Sequence, residues 1–225
     1  ITTEQIQDQN LESFADITNS VAGFNSPTWD TERVFITSRG FEVDYYQIDG
    51  IPTNYSGDVQ QDLSMYDRVE IVKGANGLMT GAGSPAASIN LVRKHANSKE
   101  FKGNATISAG SWDAYKGTVD ISTPVNEKGS VRARVIAKYG DEDSFLNYYN
   151  KETTVLYGIV DADISDDTKV FIGASHQKND ASGSTWGGVP AWFSDGSDTN
   201  FSRSASLTPD WTYWNTETNA IFTGV

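Results

Sequence analysis

Two histidines, a glycine-rich run and an acidic run are the residues of this 225-residue chain whose types and spacing could support chemistry. His95 follows the basic pair Arg93-Lys94 and reads as an exposed turn residue, while His176 falls on a candidate strand. Neither has a second ligand or an acid–base partner at a useful spacing, so neither a metal site nor a triad is expected. Gly77-x3-Gly81-x-Gly83 shares its glycines with a phosphate loop. It lacks the Gly-Lys-Ser/Thr ending and a following helix, so a turn is expected there. The run Asp161-Ala162-Asp163-Ile164-Ser165-Asp166-Asp167 lacks the glycine, terminal glutamate and spacing of a calcium loop and reads as a solvated turn. With no cysteine, a thiolate nucleophile, a disulfide and a Cys-based zinc site are all excluded. No catalytic set emerges, and neither enzyme activity nor a resident cofactor or metal is expected.

What remains is recognition through aromatic surface. Trp186, Trp192, Phe193, Trp211 and Tyr213 lie in the segment 180–214, which Trp214 closes, so four of the six tryptophans cluster there. Rings gathered in one outward segment point to a ligand that is bulky, hydrogen-bonding and partly apolar. Ligand contact is the expectation for Trp186 and Trp192. Trp211, Tyr213 and Trp214 also fit a second reading, the aromatic girdle at a membrane boundary.

The net charge of −13 excludes nucleic acid as a partner, because that binding rests on basic patches. Mean hydropathy is −0.46, and no stretch approaches the roughly 18 apolar residues of a spanning helix. A transmembrane barrel strand carries only about 10 residues of alternating polarity and escapes that criterion.

The elements that must position these residues follow two grammars. From residue 1 to about 99 the pattern predicts a small α+β globule. Thr2 or Thr3 caps a short helix through Ile6, and 11–18 forms a helical turn or two. Short strands follow at 34–37, 45–48, 68–73 and 88–93. Asp49-Gly50 is a strong turn signal. From Phe101 onward the pattern predicts strands at 101–110, 114–123, 130–141, 153–163, 168–179 and 215–225. In Val131-Arg132-Ala133-Arg134-Val135 the alternation is clean. A soluble sandwich would turn the apolar side inward; a barrel in lipid would turn it outward and line a wet interior with arginine. The connections 111–113, 142–152 and 180–214 alternate with tight turns at 124–129 and 164–167, which suits long loops on one side of a membrane and short turns on the other. Six strands do not close a lumen. The ending Ala220-Ile221-Phe222-Thr223-Gly224-Val225 reads as a strand cut mid-course, so a fragment is expected, as is the loss of any targeting peptide ahead of Ile1.

Several motifs occur in order: Arg39-Gly40-Phe41, Ile48-Asp49-Gly50-Ile51-Pro52, Asp67-Arg68-Val69-Glu70-Ile71-Val72-Lys73-Gly74, the segment from Gly77 to Pro85, and Ile89-Asn90-Leu91-Val92-Arg93-Lys94. This series resembles the plug domain of TonB-dependent outer-membrane receptors. Within that family it is most similar to the ferric hydroxamate receptors for coprogen and rhodotorulic acid. The likeness continues through Phe101-Lys102-Gly103, Val160-Asp161-Ala162-Asp163 and Trp186-Gly187-Gly188-Val189-Pro190. The resemblance implies a mainly β fold, with an α+β plug over 1–99. Residues 100–225 would then supply the first six or so antiparallel strands of a barrel of about 22.

It further implies a protein of the bacterial outer membrane that binds a hydroxamate-type Fe(III)-siderophore and imports it by TonB-driven gating of the plug. The iron would be held by the siderophore, and a TonB box is expected ahead of Ile1. Implied partners are the ferric siderophore, TonB with its inner-membrane energising complex, outer-membrane lipid, and bacteriocins or phage. Implied siderophore contacts are Arg33, the apical loop Thr53-Asn54-Tyr55, Met79 and Thr80 of a second apical loop, and Trp186 and Trp192. Implied plug–barrel contacts are Arg39, Arg68, Glu70, Lys73 and Arg93. The competing reading is a secreted β-sandwich that binds carbohydrate through Trp-rich loops.

Overall fold

Thr2 and Ser13 each start a helix by accepting a backbone N–H in the first turn. Gln5 and Asp16 reach back to complete the two capping boxes. The helices are α1, Thr3–Asp8, and α2, Phe14–Ser20. The second lies later in the chain than the predicted 11–18, because the Ser13/Asp16 box, and not Leu11, sets its start. The computed structural model describes residues 1–55, 57, 59–74, 77 and 85–225. The chain divides into two compact units, Ile1–Lys94 and His95–Val225.

In unit 1 three strands, β1 (Phe24–Asn25), β2 (Thr37–Ser38) and β3 (Phe41–Glu42), form a small antiparallel sheet. A second, mixed sheet has the order β5-β4-β7-β6, built from β4 (Tyr45–Ile48), β5 (Ile51–Thr53), β6 (Tyr66–Lys73) and β7 (Ala87–Arg93). The motif residues are its punctuation. Asp49 and Gly50 have φ of 53° and 78°, and Arg39 and Gly40 have φ of 55° and 83°. Both pairs close two-residue hairpins of the kind that needs two left-handed residues. The strand predicted at 34–37 shrinks to Thr37–Ser38. Val34 and Phe35 give their N–H groups to Gly57 and Pro27 in loops, and Val34 makes only an isolated bridge with Thr28. Phe14, Ile17, Leu63, Val69 and Ile89 are buried at the centre of the unit. Burying side chains of this size stabilises by about 1.5–3 kcal/mol each.

Unit 2 contains one six-stranded antiparallel meander: β8 (Lys102–Gly110), β9 (Ala114–Pro124), β10 (Val131–Asp143), β11 (Asn150–Asp163), β12 (Lys169–Ser182) and β13 (Tyr213–Gly224). All six predicted strands are present. The predicted loop at 142–152 shortens to 144–149, because β10 and β11 stay paired to Asp143↔Asn150. The long connection narrows to 183–212, since Tyr213 and Trp214 already pair with β12.

The two faces of the sheet differ sharply. Ile107, Val135, Leu156, Ile172 and Ile221 stand on one face, with Ile107 90% and Ile221 85% exposed. A sandwich would bury that face, so the carbohydrate-binding alternative finds no support among the described residues. The apolar residues also cross the hydrogen-bond register at a slant. The row Ile121↔Val135↔Gly158↔Ala174↔Ile221 is apolar throughout, whereas Val119↔Ala137↔Leu156↔His176↔Asn219 turns polar at its β12–β13 end. A band that drifts along the strands in this way is what tilted barrel strands require. The opposite face is mixed: Ile136, Val155, Tyr157 and Ile159 are buried on it, beside Arg134 bidentate to Asp120 (2.8 and 2.8 Å) and Lys116 paired with Glu142 (2.8 Å). On it the Phe222 ring lies over Gly173 and the Phe171 ring over Gly224, where an added Cβ would come within 2.5 Å of each ring.

Candidate functional site

In unit 1 the cation nearest an exposed indole is Arg33. Asp30 accepts the backbone N–H groups of Glu32 (3.0 Å) and Arg33 (2.8 Å), an Asx turn that curls the Arg33 side chain back onto it. Arg33 Nε and Nη2 then reach Asp30 Oδ2 at 2.6 and 2.5 Å. The guanidinium carbon stands 5.9 Å from the centre of the exposed Trp29 ring, which tilts against Phe35 at 4.9 Å. Arg33 remains 16% exposed beside its fully buried carboxylate, so an arginine–indole pair faces outward on a fixed base.

Thr53 ends β5, and Asn54 is exposed. Tyr55 is only half-buried, but its ring packs on Phe14 (5.2 Å) and Tyr46 (4.7 Å). Its hydroxyl donates to Val34 O (3.3 Å) and accepts from Gln60 Nε2 (2.9 Å). The anticipated apical residue is therefore also part of the unit's packing. Met79, Thr80 and most of the glycine-rich segment lie outside the described residues.

Three of the cations expected to face a barrel wall, Arg93, Arg68 and Lys73, have partners within unit 1. Arg93 Nη1 binds Asp49 (2.5 Å), whose other oxygen accepts the Arg93 N–H (2.8 Å), tying the β4–β5 turn to the end of β7. Arg68 Nε binds Glu70 (2.8 Å), and Lys73 Nζ binds Ala22 O (2.8 Å). Arg39 Nη1 lies over Gly74, where a Cβ would meet it at 3.3 Å. The Asn90 amide, and after it Arg68, hold the Glu70 carboxyl below the usual glutamate range.

In unit 2 the connection 183–212 is a folded structure. Its ends are joined by Gly183 N–H to Thr212 O (2.8 Å), and Asn147 N–H binds Ser204 O (3.0 Å). Arg203 stacks over Phe145 at 4.9 Å, and Phe145 meets Trp112 edge-on at 6.2 Å. Trp186, 74% exposed, stacks on Trp214 with ring centres 5.1 Å apart and planes at 17°. Trp214 therefore belongs to the Phe222 face of β13 and not to an outward girdle; Tyr213, one residue earlier, faces the apolar side. Trp192 and Phe193 stand on a tight turn. Phe193 N–H binds Ser197 O (2.8 Å), and Asp195 accepts from both the amide and the hydroxyl of Ser197, the hydroxyl having the larger share in lowering the Asp195 pKa. Arg203, Phe145 and Trp112 were not legible as partners from the sequence. Their separations follow no period, and no signal in the sequence pointed to them.

His95 and Asp161 depart most from expectation. His95 Nδ1 lies 2.7 Å from Asp161 Oδ1, and Asp161 is only 5% exposed. The start of the acidic run is thus a buried acceptor and not a solvated turn. Asp163 takes a fork from Arg132, and the solvated turn predicted for the run is confined to Ile164–Asp167.

Comparison with known proteins places this geometry. Residues 1–88 match the TonB-dependent receptor plug domain. The ferripyoverdine receptor of Pseudomonas aeruginosa is 40% identical over 99% of the chain, and the ferric-pyoverdine BN7/BN8 receptor of Pseudomonas putida 37% over all of it. In each case the chain spans 28% of the relative's length. The solved P. aeruginosa receptor bound to ferripyoverdine superposes with a TM-score of 0.92 over 99% of this chain and 30% of that one, at 39% identity. The alcaligin receptor of Bordetella pertussis gives 0.71 over 80% of this chain and 31% of that one, at 36% identity. Residues 1–88 thus match the plug domain of TonB-dependent receptors, and the antiparallel strands that follow are similar to the corresponding part of receptors of that family, which are outer-membrane proteins.

Proposed function

We propose that this chain is the ligand-sensing part of an outer-membrane receptor for a ferric siderophore, and that the siderophore is of the pyoverdine class. The observation that carries the reading is the 40% identity, extending over 99% of the chain, with a ferripyoverdine receptor. The coprogen-like hydroxamate preference expected from the motifs has no support among these relatives, so it is replaced. Trp29 with Arg33 in unit 1 and, separately, Trp186 and Trp192 in unit 2 offer aromatic faces and a cation of the kind a bulky ferric chelate uses. No bond is made or broken in this function. The ligand biases a plug equilibrium by binding one state better than another, and TonB supplies the work of opening. The iron travels inside the siderophore, and the protein itself needs no metal.

A relative in this family has been solved in complex with pyocin S2, so docking of a bacteriocin on the outer loops is a second proposed role. The primary reading is tested by tryptophan quenching of the full-length receptor. Ferripyoverdine should quench at sub-micromolar concentration and ferric coprogen should not. Trp192→Ala should weaken the response at least tenfold, about 1.4 kcal/mol. Quenching by ferric coprogen alone would overturn the class assigned.

A further inference from the structure

The segment 95–101 carries the chain from Lys94 into β8, and such a connector would ordinarily be a hydrated loop. Here its first dipeptide is gripped by the mixed face of the sheet. Arg134 Nη1 donates to His95 O (3.1 Å), Ala96 N–H donates to Asp161 Oδ2 (2.7 Å), and Arg132 Nε donates to Ala96 O (2.8 Å). The His95 ring adds its contact with Asp161 Oδ1 and stands edge-on to Phe171 at 4.8 Å and 87°. Ala96 is fully buried and Arg132 is 2% exposed.

The grip is itself held. Arg132 forks onto both oxygens of Asp163 (2.6 and 2.7 Å) and donates to Gly129 O (2.7 Å), while Arg134 forks onto Asp120. Each cation that holds the connector is therefore neutralised by a carboxylate on a neighbouring strand. Charge-assisted bonds of this kind are about twice as strong as neutral ones. Because the partners stay buried, releasing the dipeptide would leave several unpaired groups at once.

We infer that His95–Ala96 is a fixed mooring: it stays on the strand wall while the chain before it is remodelled, so a pull on unit 1 is taken up at Lys94 and goes no further. The inference rests on the receptor reading above. These 225 residues hold no cysteine, and with any cysteine elsewhere in the receptor changed to serine, Ala96→Cys places a single buried thiol at the mooring. In the purified full-length receptor, maleimide should label Ala96→Cys slowly. Adding Asp161→Asn, which removes the acceptor charge shared by His95 and Ala96, should raise the rate at least tenfold. Arg132→Lys, which keeps the charge and loses the fork, should raise it too and covers the case in which Asp161→Asn does not fold. An unchanged rate in both would show that these residues do not hold the connector. In energised cells importing ferripyoverdine, Ala96→Cys should label no faster than in resting cells, and faster labelling during import would overturn the mooring. Loss of import with ferripyoverdine would instead count against the receptor reading, and the purified-protein comparison would still decide whether the grip exists.

Discussion

Raising the pH should unfold unit 1 through two tyrosines. Burial holds the phenols of Tyr46 and Tyr66 well above the usual tyrosine range, further raised by nearby acidic groups and, for Tyr46, first by Tyr55. Tyr66 donates to Gln61 Oε1 at 3.0 Å, and the Tyr46 ring packs against Phe14 and Tyr55. In the unfolded chain both would lose their protons near pH 10, about the ordinary tyrosine value. The folded unit keeps them, so their contribution to stability is complete below that pH and is lost as pH rises above it. With two protons released only on unfolding, stability should fall by roughly 2.7 kcal/mol per pH unit above about pH 10. The assay is denaturant unfolding of the full-length receptor across the alkaline range, with tyrosinate absorbance read in parallel. The two tyrosines removed in the double variant Tyr46→Phe/Tyr66→Phe should titrate only as near-ultraviolet circular dichroism is lost, and that variant should flatten the decline. If the difference between the two titrations appears near pH 10 while the dichroism persists, the phenols are not shielded.

Gly173→Ala would set a Cβ 2.5 Å from the Phe222 ring and 2.9 Å from Gly158 O, so a loss of about 1–3 kcal/mol is expected in thermal unfolding. Adding Phe222→Ala should recover part of it, and strict additivity would refute the contact. Asp30→Asn should leave folding intact while unpinning Arg33, weakening ferripyoverdine binding about tenfold, roughly 1.4 kcal/mol by titration. Unchanged affinity would remove Asp30 and its arginine from the site.

Period-two alternation made unit 2 legible, because a strand with one face in lipid and one on a polar lining must alternate. The slips came at strand ends, where 142–143, 150–152 and 213–214 are polar or aromatic yet still paired, so composition pointed to loop and the ladder ran on. In unit 1 the motifs announced turns more surely than strands: Asp49-Gly50 and Arg39-Gly40 are hairpins, whereas Val34 and Ile36 alternate like a strand but bond to loops. The aromatic residues of the candidate site could be named from the sequence, but their partners could not. Arg33 with Asp30 is a local turn that the sequence could have shown. Trp186 with Trp214 and His95 with Asp161 join residues 28 and 66 positions apart in the sequence, and no spacing rule reaches that far.

The reciprocal Gly–Phe pairs on β12 and β13 act as a key and its notch. Phe171 faces Gly224 and Phe222 faces Gly173. A slip of two residues one way would set Phe171 against Phe222. The same slip the other way would set Gly173 against Gly224 and put the Phe222 ring over Ser175 instead of a glycine. Slips of two keep every side chain on its proper face, so hydrophobic patterning alone cannot forbid them. Shape complementarity does, and these two strands can zip in one register only.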